Sequence, residues 1–323
     1  MTDIAKLFET EVFMIDYIYL LLVAAGNSLQ SCLTKLYQSR TVNSSMKTSV
    51  VVEKSFFFGM ALSSVAWIIL ITAKRFKPEI TVFSAVSALI MAAGGTLTNI
   101  FGIMALSRGK ISVYSLFLLL GGMMLPFLAD VVFWGENLSA LRITGLIFLV
   151  AALVFPILEK KDVKNAKNVR IFFLLCLGIF LANGMNSIVA KYHQAAPVHV
   201  DTVSFMVLRE TINAPLNALL FLFMRIRNNK GNKNAAGSAN NARFIAVNWL
   251  ILSIFAAIYC GSHFCNLLAA GIFDASLQFP VITGGTMILV AAAGFIFFRE
   301  KPGKYLSASI AAAFFATILF GLS

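Results

Sequence analysis

The feature that most constrains this chain is a polar stripe that occurs twice inside long apolar segments. In each copy, four polar residues follow at i, i+4, i+8 and i+11, a spacing that puts them on one face of an α-helix. The two sets, 156 residues apart, are Asn27, Ser31, Lys35 and Gln38, and Asn183, Ser187, Lys191 and Gln194. A polar face on an apolar helix most often turns toward a bundle interior or a water-filled path. The repetition therefore predicts a duplicated helical protein.

The composition places these helices in a membrane. Of the 323 residues, 59% are hydrophobic and only 12% are charged, and the mean hydropathy is +0.85. Because a helix needs about 20 apolar residues to cross the hydrocarbon, candidate spans can be counted directly. Ten segments qualify: 14–37, 48–73, 80–106, 111–133, 141–158, 169–191, 202–224, 244–270, 275–298 and 305–322. Since these runs are long and do not alternate, we predict an all-α integral membrane protein rather than a barrel.

Charge and cysteine content argue against several other classes. The net charge of +12 comes from Lys and Arg in short loops between spans, as in a polytopic membrane protein, so we expect no nucleic-acid partner. The four cysteines fall within predicted spans and lack metal-ligand spacing, so we expect no disulfide framework, no metal and no cofactor. The first apolar run is too long for a signal peptide, and we expect it to be retained as a span.

The two halves of the chain correspond beyond the stripe. Glu53 matches Glu210, and a second set matches at an offset of 164 residues. That set is Ser112, Gly121, Phe133 and Glu136 with Ser276, Gly285, Phe297 and Glu300. A hydrophilic linker at 159–168 separates the halves, and a low-complexity stretch at 228–242 lengthens the second. Because five spans is an odd number, the repeats must face opposite ways in the membrane. We predict inverted five-helix repeats at 1–158 and 169–323 within one structural domain.

This organisation resembles the drug/metabolite transporter superfamily, specifically its EamA-type members. The resemblance covers nearly the whole chain and rests on an aromatic-x-Glu turn followed by a small-residue-rich helix at the end of each repeat. The turns contain Trp134-Gly135-Glu136 and Phe298-Arg299-Glu300, preceded by Gly121 and Pro126 and by Pro280 and Gly285. The resemblance implies a central cavity between the repeats and export or exchange of small metabolites. The expected location is the inner (plasma) membrane of a bacterium.

Two arguments predict opposite orientations of the protein in the membrane. With the termini on one side, that side holds six Lys and Arg residues and the other holds seventeen. The positive-inside rule therefore favours both termini outside the cytoplasm. The family resemblance instead implies that both termini are cytoplasmic.

The repeated stripe supplies the first candidate substrate-binding residues. If the two polar faces meet near the membrane midplane, their amides and hydroxyls can hold a polar solute. The candidates are Asn27, Ser31, Lys35, Asn183, Ser187 and Lys191. The alternative is that the small polar residues hydrogen-bond between helices and that the lysines snorkel to the interface.

Further candidates are single polar residues in other spans. Adjacent charges occur at Arg209-Glu210 and at Glu53-Lys54, and neighbouring side chains on a helix point about 100° apart, so each pair needs an additional partner or water. We assign substrate binding also to Asn99, Arg209, Asn213, His263 and Gln278, and proton coupling to Glu53, Glu210 and Asp130. The alternatives are an interhelical ion pair for the charged residues, a packing role for His263 and an interfacial position for Asp130.

These residues predict a secondary transporter rather than an enzyme. A small polar solute, such as an amino acid or another metabolite, would be exposed alternately as the repeats rock. No P-loop is present, so a gradient or exchange would supply the energy. One alternative is a non-transporting membrane scaffold or receptor. Another is an intramembrane enzyme built on Ser187 and His193, although no nucleophile motif flanks either residue.

Overall fold

Each of the ten predicted apolar segments contains an α-helix. The computed structural model describes residues 17–33, 36, 48–106, 111–135, 139–158, 166–231, 242–298 and 303–322, and within these ranges it has ten helices and no strand. The helices are α1 (Tyr17–Leu33), α2 (Thr48–Ala73), α3 (Val82–Leu106), α4 (Ile111–Phe133), α5 (Ala140–Leu158), α6 (Ala166–Ala195), α7 (Thr202–Gly231), α8 (Ala242–Ile272), α9 (Ala275–Phe298) and α10 (Lys304–Gly321). Lys35, Gln38, Glu136 and Glu300 lie outside the described residues, as do the linker at 159–165 and the low-complexity stretch at 232–241.

The predicted boundaries agree best where a helix ends together with its apolar run. The bounds of α2, α4 and α9 are those predicted, whereas α6 and α7 extend further, to Ala195 and Gly231. Hydropathy marks where a helix leaves the hydrocarbon, but polar residues can continue the same backbone hydrogen bonding into water. The two longest differences therefore fall at polar helix ends.

Length and composition allow several of these helices to cross a bilayer. In the described part of the chain, five helices are both long enough and apolar enough to span a membrane: α2, α3, α4, α6 and α8. Shorter apolar stretches occur in α1, α5, α9 and α10. Helix α7 carries Arg209, Glu210 and four asparagines and belongs to neither group. Large apolar side chains such as Leu21, Leu174 and Leu219 are exposed on the outside of the bundle. A soluble protein seldom exposes so much apolar surface, whereas a bilayer covers it.

The helices pack in antiparallel pairs. The α2–α7 pair is joined near one end by Lys74 and Asp201 and toward the other by Glu53 and Asn228. In the α5–α10 pair, Ala152 in the second half of α5 accepts a hydrogen bond from Ser309 near the start of α10, and Gly145 near the start of α5 lies against Phe320 near the end of α10. The α4 and α9 helices are also antiparallel, since Asp130 near the end of α4 contacts the first residue of α9. Two large apolar clusters fill the bundle, one shared by α4, α5, α9 and α10 and one by α2, α3, α6, α7 and α8.

Glycine allows α4 and α6 to approach most closely. A Cβ atom added to Gly121 would lie 2.3 Å from the carbonyl oxygen of Phe180, and one added to Gly184 would lie 2.6 Å from the carbonyl oxygen of Gly121. Small residues at a helix interface allow backbones to touch, and in lipid such packing is a main source of helix association. On the other side of the bundle, a Cβ atom on Gly285 of α9 would lie 3.1 Å from that of Ala24 in α1.

Candidate functional site

The described residues of both polar stripes turn away from the outer surface of the bundle. Ser31 follows the exposed Leu22 by nine residues, and Asn183 follows the exposed Leu174 by the same interval. At ~100° per residue, nine residues correspond to about 900°, which is the opposite side of the helix. Ser31 is nevertheless exposed.

The stripe residues make the same kinds of contact in both copies. Ser31 donates to the carbonyl of Asn27 at 2.9 Å, and Ser187 donates to that of Asn183 at 3.3 Å. Each asparagine also reaches a neighbouring helix. The Oδ1 atom of Asn27 accepts from Ser262 of α8 at 3.1 Å, and the Nδ2 atom of Asn183 donates to the carbonyl of Leu118 in α4 at 2.8 Å. The asparagines therefore form the interhelical hydrogen bonds that the packing alternative predicts. They do so on the side of each helix that faces the interior of the bundle.

Lys191 and Asp130 lie together at the turn between α8 and α9. The Nζ atom of Lys191 donates to the carbonyl of Phe273, and the Oδ2 atom of Asp130 accepts from the backbone N–H of Ala275 at 2.9 Å. A cation thus meets the carboxyl end of α8 and an anion meets the amino end of α9, an arrangement that both helix dipoles favour. Asp130 is buried and caps α9, so the structure gives this residue a helix-capping contact.

The densest polar cluster joins α7 and α8. The Nε atom of Arg209 lies 3.3 Å from Oε1 of Glu210, and these side chains are only 12% and 2% exposed. Tyr259 of α8 donates to Oε1 of Glu210 at 2.9 Å and accepts from a guanidinium nitrogen of Arg209. The guanidinium also lies 5.4 Å from the centre of the Tyr259 ring. The hydroxyl of Tyr259 therefore bridges the two charges. We call Arg209, Glu210, Tyr259 and His263 the charged cluster.

His263 completes this cluster against the guanidinium of Arg209. The Nδ1 and Nε2 atoms of His263 lie 3.4 and 3.5 Å from guanidinium nitrogens. Arginine can only donate hydrogen bonds, so an imidazole nitrogen facing it must carry a lone pair. The geometry is consistent with a neutral His263. Its ring also packs edge-on against Tyr259, with 4.6 Å between the ring centres.

Asparagines on α7 extend the cluster toward α2. The Nδ2 atom of Asn213 lies 2.9 Å from Oγ of Ser63 and 3.4 Å from Oε2 of Glu210. Asn217, one turn further along, donates to both oxygens of Asn213. Next to the cluster, the indole of Trp67 donates to the hydroxyl of Thr211 at 2.8 Å. The predicted site residues Arg209, Glu210, Asn213 and His263 are thus brought together.

Gln278 takes part in a separate contact between α8 and α9. Its side chain is fully buried, and its Nε2 atom donates to the backbone and side-chain oxygens of Asn266, at 2.9 and 3.1 Å. The Oε1 atom of Gln278 is buried and has no hydrogen-bond partner among the described residues. Asn99, which occupies the place in the first repeat that matches His263 in the second, is half-buried on α3 and lies outside the charged cluster.

Sequence reasoning missed three polar residues on α8. Tyr259, Ser262 and Asn266 follow at i, i+3 and i+7, which places them on one face, and they contact α7, α1 and α9 respectively. The same periodicity that revealed the stripes on α1 and α6 could have shown this one. It was hidden because Tyr and Ser are common packing residues and occur among cysteines and phenylalanines here.

Two other candidates lie apart from the charged cluster. The Oε2 atom of Glu53 accepts from Nδ2 of Asn228 at 2.7 Å, in the last turns of α7. His193, which the enzyme alternative paired with Ser187, instead lies 2.9 Å from Oγ of Ser84. Its ring is fully buried and stacked against Phe205 with 3.6 Å between centres. In the described part of the chain, no three His, Cys, Asp or Glu side chains lie close enough together to hold a metal ion.

Comparison with known proteins extends only to the fold. No family model matches the sequence, and no curated protein is significantly similar to it. Solved structures do match. A structure titled only "Crystal structure of protein" aligns with a TM-score of 0.61 over 94% of this chain and 98% of that chain, at 16% sequence identity. At this identity the likeness shows that the two proteins share a fold over nearly their whole lengths.

Proposed function

We propose that this protein is a secondary transporter of a small polar metabolite, built from ten transmembrane helices in two inverted repeats. The observation that carries the proposal is the charged cluster, in which Arg209 and Glu210 are buried among apolar helices. Ionisable residues inside membrane helices are costly and usually mark a substrate or ion pathway. Arg209 donates a hydrogen bond to Tyr259, and Glu210 accepts from Tyr259 and Asn213, so both charges are satisfied until a solute arrives.

Inversion of the repeats is supported by where corresponding helix ends lie. The ring of Tyr17, at the start of α1, lies 5.2 Å from that of Phe273, whereas Lys191, near the end of the corresponding α6, donates to the carbonyl of Phe273. The start of α1 and the end of α6 therefore lie near the same residue, as expected if these corresponding helices run in opposite directions. The antiparallel α2–α7, α4–α9 and α5–α10 pairs agree, because each joins a helix to its own counterpart.

Duplication is supported by a matched pair of close contacts. Gly121 of α4 lies against Phe180 of α6, and Gly285 of α9 lies against Ala24 of α1. The glycines correspond at the offset of 164, and their partners Phe180 and Ala24 correspond at the stripe offset of 156. The same two aligned positions thus meet twice, and each time the contact joins one half to the other.

The mechanism that follows is alternating access at the charged cluster. The repeats would rock about the interior faces of α1, α6 and α8 and open the cluster to one side at a time. Energy would come from a gradient or from counter-exchange. Assignment to the EamA-type transporters and to a bacterial inner membrane is part of the same proposal and rests on the turn motifs.

Transport is tested with purified protein in liposomes loaded with a metabolite mixture, measuring solutes that cross under proton and counter-solute gradients. The paired variant Arg209→Gln with Glu210→Gln removes both buried charges together and should abolish flux while leaving the protein folded. The matched control Glu79→Gln makes the same acid-to-amide change at an exposed residue between α2 and α3 and should retain flux. Absence of any flux in the wild type, with no ligand raising its Tm, would support the scaffold or receptor alternative.

A further inference from the structure

The two members of the buried ion pair differ in how accessible they are. The Arg209 side chain retains 12% exposure, whereas that of Glu210 retains 2% and is covered by Tyr259 and Asn213. A solute entering the site therefore meets the guanidinium first. A cationic group would have to displace Tyr259 or Asn213 before reaching the carboxylate. The more accessible charge is thus the one that attracts an anion.

We infer that the transported solute carries a carboxylate-type anionic group, that this group displaces Glu210 from Arg209, and that Glu210 binds one proton as it is displaced. The inference rests on the transport proposed above and narrows it to a substrate class and a coupling ion. The bond that breaks is the Arg209–Glu210 ion pair. The bond that forms joins the guanidinium to the solute anion, and the proton bonds to a carboxylate oxygen of Glu210.

Only one described contact of Arg209 carries a negative charge. Tyr259 offers a hydroxyl and His263 an imidazole nitrogen, so Glu210 is the anion that an incoming solute must replace. Arginine stays protonated at any physiological pH and cannot itself become neutral. A buried guanidinium without an anion is strongly unfavourable, so Arg209 exchanges one anion for another.

Once Glu210 has been displaced from Arg209, its carboxylate can be neutralised only by binding a proton, because no other cation among the described residues contacts it. From α8 it faces Tyr259, with Cys260 and His263 nearby, and from its own helix it faces Arg209 and Asn213. From α2, the polar group nearest in the network is Ser63, and the ionisable Glu53 and Lys54 precede it by about 14 Å of helix. Helix α3 contains no ionisable residue. Among the described groups that contact Glu210, Arg209 is the one cation, and the solute occupies it.

Binding of one proton with each anion predicts how the apparent Kd depends on pH. Since one proton binds with each monovalent anion, the apparent Kd should rise about tenfold per pH unit between pH 6 and 8. The sign follows from linkage, because the complex holds one more proton than the free protein and is therefore favoured at low pH. A zwitterionic solute could satisfy both charges at once, and its binding would not vary with pH.

Acetate, butyrate and benzoate, each paired with its neutral amide, serve as probes on the full-length protein in detergent. Calorimetry at pH 6, 7 and 8 gives the apparent Kd, and an indicator dye in weakly buffered solution counts protons taken up. We expect at least one carboxylate to bind with one proton and none of the amides to bind. Binding that is independent of pH, equal binding of the amides, or no binding by any carboxylate would overturn the inference.

Variants assign the proton to Glu210. Glu210→Gln should still bind the carboxylate but lose both the proton uptake and the pH slope, whereas the control Glu79→Gln, at an exposed residue between α2 and α3, should keep both. The paired Arg209→Gln and Glu210→Gln variant should lose binding. If Glu210→Gln keeps the full slope, another group carries the proton and the inference fails. If a carboxylate binds together with a proton but no solute crosses the liposome membrane, transport alone is refuted. If a neutral or cationic solute crosses and its binding does not depend on pH, the anion inference alone is refuted.

Discussion

At the scale of single residues, Asp201 links the start of α7 to the end of α2. Its Oδ1 atom accepts from the backbone N–H groups of Val203 and Ser204, both at 3.1 Å, as an N-cap does. Its Oδ2 atom lies 2.7 Å from Nζ of Lys74. Burial raises the pKa of Asp201, but hydrogen bonds from Lys74 and Ser204 outweigh it, so the pKa lies below its ordinary value. The hydrogen bond to Asp201 in turn raises the pKa of Lys74.

Asp201 should therefore stabilise the fold above about pH 4, its unfolded pKa, and this contribution should disappear as the pH falls through the lower folded value. Asp201→Asn keeps a capping oxygen and should mainly remove this acid-dependent part, which is small because the pair is partly exposed. Asp201→Ala also removes the cap and should cost about 1 kcal/mol more. Unfolding in detergent between pH 3 and 7 measures both effects. Equal stability of the two variants would contradict a capping role.

At the scale of helices, the α4–α6 contact depends on the missing side chain of Gly121. The atoms that a Cβ would meet belong to the backbone of Phe180, at 2.3 Å from its oxygen and 2.7 Å from its Cα. Backbone atoms cannot rotate away as a side chain can. The helices would have to separate, and the packing around them would be lost.

Gly121→Ala should destabilise the protein by about 1–3 kcal/mol, the usual cost of overpacking. Gly261→Ala on α8 is the matched control, because a Cβ there meets nothing within 4 Å and alanine favours the helix by up to ~1 kcal/mol. Thermal unfolding of the purified variants separates the two outcomes. A stability of Gly121→Ala equal to that of the wild type would show that α4 and α6 do not pack at this distance.

At the scale of the whole molecule, the contacts place helix ends in two groups. Lys77, just past α2, lies at the same end of the bundle as Asp201 and the start of α7. Asn229 lies at the far end of α7, beyond the contact between Asn228 and Glu53. If α7 crosses the membrane, these two positions must lie on opposite sides of it.

Lys77→Cys and Asn229→Cys, each introduced after the four native cysteines are replaced, should react with an impermeant maleimide from opposite sides of sealed vesicles. The positive-inside rule predicts that Asn229→Cys reacts from the cytoplasmic side, and the family resemblance predicts that Lys77→Cys does. Labelling after permeabilisation controls for access. Reaction of both positions from one side would contradict a transmembrane α7.

The sequence predicted the helices well because helix formation in a membrane depends on a local property. The bounds of α2, α4 and α9 could be given to the residue, since charged residues lie within three positions of both ends of each apolar run. The sequence was less informative about which residues each polar side chain contacts. Glu53 and Glu210 occupy equivalent positions in the two halves, yet Glu53 meets Asn228 while Glu210 meets Arg209 and Tyr259. Nothing local to either glutamate distinguishes these environments.

Local sequence patterns were enough to predict a bundle of apolar helices, a polar stripe that recurs 156 residues later, and charges within α7. Tertiary structure alone decided that Tyr259, 49 residues after Glu210, bridges the buried ion pair, and that Asp130 and Lys191 meet at the α8–α9 turn. The two kinds of feature depend on interactions over different distances along the chain. Hydrophobic periodicity is set by residues a few positions apart, whereas burial and the pairing of a polar group depend on which distant helix packs against it.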